Sequence, residues 1–199
     1  MEENHYSENN FQRLLQEIKI KTKKNADIHN EREDYMLSQL LPKVEEILKN
    51  RPDLANKKDL KILMFLGAVH TRISHLMTKF GQKNTRTFSR PIMRYSFQDE
   101  AHRRFALGKE VDNELASKIL LEGLASNLIG QIAQNFTSDN DKISAFIRKI
   151  VSSFTFEEIR ELYAMSLPEA VKQFITYLGN KGINPPKNLS DLEKFISVK

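Results

Sequence analysis

The chain has 199 residues, 40% of them hydrophobic and 29% charged, with 7 Gly, 6 Pro and no Cys, the composition of one well-cored globular domain or of one domain with a small appendage. The lack of cysteine excludes disulfides, thiolate metal sites and cysteine nucleophiles. The longest apolar run, the eight residues 62–69, falls far short of the roughly 20 needed to cross a bilayer. The net charge of +5 sits in the middle third: residues 1–50 carry 8 Lys/Arg against 10 Asp/Glu, 51–107 carry 12 against 4, and 108–199 carry 11 against 12. No acidic residue occurs between 60 and 98. Charge this localised bears on partners rather than on fold.

Few chain breakers and recurrent 3.6-residue periodicity predict an all-α domain of seven to nine helices with a basic central loop. The first helix is expected over 10–24, with Phe11, Leu14, Leu15 and Ile18 on one stripe. A second carries Tyr35, Met36, Leu40, Leu41, Val44, Ile47 and Leu48, with Pro42 expected to kink or divide it. The third, over 57–80, is the most apolar and is expected to be the central core helix, closed by Gly81 at C′. Periodicity fails over 81–97, a loop or short extended segment with Pro91 inside it. A short helix over 101–107 precedes a long one over 111–136. On the latter, Ala116, Gly123 and Gly130 recur every seven residues, as an internal seam or as the contact of a homo-oligomer. Three more helices are expected over 139–154, 155–165 and 167–178, with Gly179 and Gly182 bracketing their end. Capping-box spacing pairs Ser96 with Asp99, Ser138 with Asp141, Thr155 with Glu158, Ser166 with Glu169 and Ser190 with Glu193. Residues 1–183 are expected to form a single domain, and 184–199 a linker through Pro185 and Pro186 with a short terminal helix.

The candidate partner-binding residues lie in the basic third: Lys79, Lys83, Arg86, Phe88, Arg90, Arg94, Tyr95, Arg103 and Arg104. Cations interleaved with aromatic rings can hold phosphates and stack bases, or can meet an acidic protein surface while the rings anchor the loop. The reading preferred is a non-enzymatic interaction or adaptor protein docking an acidic partner, with nucleic-acid binding as the alternative. The pattern Arg86-Thr87-Phe88-Ser89-Arg90-Pro91 is similar to basophilic-kinase sites, and a phosphate there would invert the local charge.

Residues 155–183 resemble a winged-helix or helix-turn-helix segment: a capped helix with Ile159 and Leu162, a turn at Ser166, a second helix with Phe174 and Tyr177, then Lys181-Gly182-Ile183. The resemblance implies DNA contact, but Val171 and the closing Lys-Gly pair each fall one residue late. Glu157, Glu158, Glu161 and Glu169 also outnumber Arg160 and Lys172 where phosphates would sit.

Among the five histidines there is no H-E-x-x-H and no pair at i,i+4, and His70 and His75 fall on different helix faces, so no metal is expected. No phosphate loop, serine elbow or clustered carboxylate pair calls for catalysis or a cofactor. The first ten residues are acidic and polar, unlike a cleaved signal peptide, which makes the cytoplasm the expected compartment.

Overall fold

The computed structural model describes residues 8–57, 61–66, 70–79, 81–83, 85 and 96–197. Among the described residues all regular structure is helical, in nine helices. They are α1 Glu8–Asn50, α2 Pro52–Ala55, α3 Thr71–Lys79, α4 Phe97–Ala106, α5 Asn113–Ala125 running on through a π-helical stretch Ser126–Gly130 to Gln131–Gln134, α6 Asn140–Ser152, α7 Phe156–Tyr163, α8 Leu167–Asn180 and α9 Leu189–Ser197.

The two helices expected at the N-terminus are one. α1 runs unbroken for 43 residues with Pro42 inside it, about 65 Å at 1.5 Å per residue. The reason is a stripe through Phe11, Leu15, Ile18, Thr22, Ala26, His29, Glu33, Leu37, Leu40, Val44 and Leu48. Its steps of 4, 3 and 4 sum to eleven, or 3.67 residues per turn, close enough to the α-helical 3.6 to keep one face inward along the whole length. Apolar periodicity lapses between 22 and 33 only because inward positions there are polar: Thr22 and Glu33 are each 1% exposed. Pro42 and Ser38 are both exposed, so the carbonyl deprived of the residue-42 donor faces water.

The expected central helix over 57–80 is also corrected. Among its described residues only Thr71–Lys79 are helical, and residues 61–66 carry no regular structure. A helix through the continuous apolar run would be apolar all round and would need burial on every side. The centre is instead α5, which lies against α1, α4, α6 and α7 and buries Leu115, Ala116, Ile119, Leu121, Ala125, Ile129 and Ala133. Gly81 does end α3 at positive φ, with its N–H bonded to Thr78 O and that of Gln82 to Met77 O, a Schellman motif. α9 packs on α6 and buries Leu192 and Ile196 in the same core.

Three of the five helix starts fall where the spacing places them. Ser96 Oγ accepts from Asp99 N, and Thr155 Oγ1 from Glu158 N. Glu169 accepts from the Ser166 amide. The other two move to Asx residues, which compete well for N-caps. Asp139, not Ser138, caps α6, and the side chain of Asn188, two residues before Ser190, accepts from Asp191 N.

The seven-residue stripe on α5 is only partly a seam. Ala116 is fully buried, and a Cβ at Gly130 would lie 3.4 Å from Ile147 Cδ1. At Gly123 a Cβ would meet nothing within 4 Å, so overpacking is not expected there. Gly123→Ala should stabilise by up to about 1 kcal/mol through helix propensity alone. A rise in Tm by calorimetry checks this, whereas a fall would mean that a neighbour covers the position.

Candidate functional site

Four of the nine predicted binding residues are among those described. Lys79 ends α3 and Lys83 follows Gly81, both exposed, and Arg103 is exposed on α4. Arg86, Phe88, Arg90, Arg94 and Tyr95 lie outside the described residues. Arg104 is drawn into the body, donating to Glu100 at 2.9 Å and to Asp112 at 3.4 Å. Glu100 is also held by Arg148 at 2.7 Å, whose guanidinium lies 4.1 Å from the Phe97 ring centroid. Burial would raise the Glu100 carboxyl, but its two arginine partners outweigh that and hold it below the ordinary range.

Within the acid-free stretch, Ile62, Leu63 and Phe65 are 53%, 79% and 88% exposed, and Lys61 beside them is exposed too. A run of large apolar side chains in water is uncommon on a folded surface and marks a contact region.

A cleft of about 350 Å³ opens beside the start of α4, lined by Ser96, Gln98, Glu122, Gly123, Ser126 and Ser144 among others. Its carboxylate is committed to structure. Glu122, reaching from α5, accepts from Phe97 N at 2.8 and 2.9 Å and from Gln98 N at 3.2 Å, so α4 is capped jointly by Ser96 and by a residue from another helix. Burial pushes the Glu122 carboxyl up despite these bonds.

The most unusual arrangement lies where α1, α3 and α4 meet. The rings of His29 and His102 stand edge to face at 4.8 Å, and His70, just before α3, is 5.9 Å from His29. His70 Nδ1 is 3.2 Å from Oε1 of the buried Glu33. Arg72 donates to Asp34 at 2.7 Å and to Asn30 O at 3.2 Å, and Gln98 donates to Thr22 Oγ1 at 3.0 Å. A ring nitrogen of His102 bonds the Asn25 carbonyl. His29 Nδ1, His102 Nε2, Asn30 Oδ1 and Glu33 Oε2 are buried with no hydrogen-bond partner among the described residues. Burial lowers His29 and His102 below the ordinary histidine value, and the neighbouring histidines push the same way. Burial raises Glu33, with His70 and Arg72 pulling against it.

No protein-family model, curated protein or solved structure matches the chain. Among the described residues no group of three or more His, Asp or Glu side chains is placed to hold a metal ion, and none of the helices is long and apolar enough to cross a membrane. What the junction can do is take up protons.

Sequence reasoning missed this junction because positions 29, 70 and 102 are dispersed along the chain and no local spacing links them. One signal was present. On the eleven-residue stripe of α1, His29 and Glu33 fall in register with Phe11 and Leu15, and a titratable residue buried as Glu33 is implies partners from elsewhere.

The helix-turn-helix-like unit is built into the core. Tyr163 donates to Leu120 O at 2.9 Å, Phe174 stacks on Phe154 at 5.2 Å, and Lys181 pairs with Glu158 at 2.7 Å. No strand follows α8 among the described residues.

Proposed function

We propose that the chain is a non-enzymatic interaction protein that docks an acidic protein segment on its acid-free stretch. The observation that carries this reading is the exposure of Ile62, Leu63 and Phe65 in a stretch whose described exposed charges, Lys61, Lys79 and Lys83, are all positive, while its Arg72 is paired with Asp34. Opposite charge steers the encounter, and apolar anchors in the centre of a contact supply affinity. The partner that fits is therefore acidic with interspersed leucine- or phenylalanine-type side chains. A bare polyanion would leave the apolar anchors in water.

An amphipathic peptide of alternating Glu and Leu blocks, polyglutamate, and a mixed-sequence DNA duplex distinguish the possibilities by fluorescence anisotropy. The amphipathic peptide should bind best. Phe65→Ala should weaken it by about tenfold, within the usual range for an interface anchor. Reversing Arg86, Arg90 and Arg94 together to Glu should weaken it further, because like charge then repels an acidic partner. Tighter binding to the duplex, with affinity falling log-linearly and steeply with salt and indifferent to Phe65→Ala, would replace this reading with nucleic-acid recognition.

A further inference from the structure

We infer that the packed rings of His29, His70 and His102 form an acid-operated latch, in which protonation of more than one of them releases α3 from α1 and α4. The inference does not depend on which partner the chain binds. It rests first on how weakly α3 is otherwise held. Among its described side chains only Ile73 is buried, at 2% exposure. Leu76 and Met77 are half-buried, and the polar ties include His70 to Glu33 and Arg72 to Asp34 and to the carbonyl of Asn30. Elements with few buried apolar contacts open locally at much lower free energy than the core.

It rests second on where added protons would go. From α1 the junction is faced by Arg32, Glu33, Asp34 and the Asn25 carbonyl; from the α3 side by His70 and Arg72; and from α4 by Asp99 and His102. Two carboxylates of that set already face a basic side chain, and the third, Asp99, favours the proton on His102. Glu33 meets His70, Asp34 meets Arg72, and Asp99 accepts from the Ser96 amide. Glu33 stands beside His70 as its counter-charge. Protons on His29 and His102 would place two more cations with ring centroids 4.8 Å apart beside Arg32, and Asp99, which favours the proton on His102, is outweighed there by burial and the neighbouring histidines.

The direction follows from proton linkage. His29 and His102 are held below their ordinary value in the folded junction and regain it, about 6.5, when the junction opens. The open form then binds more protons, so closure is favoured at neutral pH and weakens as pH falls through that value, levelling off below the folded values. Glu33 is shifted upward and acts oppositely, gaining stability as it protonates at lower pH, so the window of opening lies above the carboxylate range.

Hydrogen exchange resolved by segment tests the latch. Between about pH 7.5 and about pH 5.5, after correction for intrinsic exchange, amides of α3 should exchange about tenfold faster while those of α6 keep their protection. The double variant His29→Gln/His102→Gln should lose most of this pH dependence, and His75→Gln, an exposed position on α3, should keep it. Ring-proton NMR of the unaltered protein covers the case in which the double variant fails to fold: two histidines must titrate below about 6.5. All histidines titrating at or above that value, or α3 exchange that stays in step with α6 throughout, would overturn the latch.

Discussion

Truncating Leu192 to alanine is expected to destabilise the whole domain by about 2–5 kcal/mol, a fall in Tm of roughly 4–20 °C for a chain of this size. Leu192 is 0% exposed, and Ile196, one turn on, is 6% exposed. Between them the Phe195 ring meets Phe146 edge to face at 5.4 Å, and Lys149 donates to the Phe195 carbonyl while lying 5.1 Å from its ring centroid. Removing the leucine side chain opens a cavity against α6 that a close-packed interior fills poorly. The exposed pair between Lys142 and Glu193 joins the same two helices. Its loss in Glu193→Ala should cost no more than about 1 kcal/mol. Calorimetry of the two variants side by side decides the matter. Equal melting of Leu192→Ala and the unaltered chain would mean that α9 is an appendage and not a layer of the core.

Glu122→Ala should be nearly as damaging, by about 2–4 kcal/mol, although it removes no large apolar surface. It strips the acceptor from the amides of Phe97 and Gln98, the first two of α4, in a setting where Phe97 is 6% exposed and Arg148 covers its ring. The helix that presents His102 to the junction would then start with unmatched donors. Glu122→Gln keeps one acceptor oxygen in the same place, and because burial already disfavours the charged carboxylate it should lose much less. Chemical denaturation of the pair reads the difference. Equal losses would show that the volume of the side chain, and not its acceptor, is what α4 requires.

Much of the fold was legible in the chain because helices are local. Spacing of apolar residues and N-cap chemistry placed α5 to α9 within a few residues, and the Ser96–Asp99 and Thr155–Glu158 boxes sit where the pattern put them. Gly81 ends its helix by the same local logic, since only a residue at ease at positive φ closes a Schellman turn cheaply. The charge map is equally a property of the sequence: the acid-free stretch and its cations exist whatever the fold.

Tertiary structure decided the rest, wherever polarity and burial part company. Apolar residues 62–66 were read as core, yet Phe65 stands 88% in water because α5 already fills the centre. Thr22, His29 and Glu33 broke the apolar pattern of α1, yet they face inward, because their partners arrive from α3 and α4 dozens of residues away. Arg104, counted among the binding cations, is claimed by Glu100 and Asp112. A sequence records which groups can ionise. Only the packing of distant segments determines which of them lose their water, and it is that loss of hydration, with the company kept in its place, that holds His29 and His102 below the ordinary histidine value.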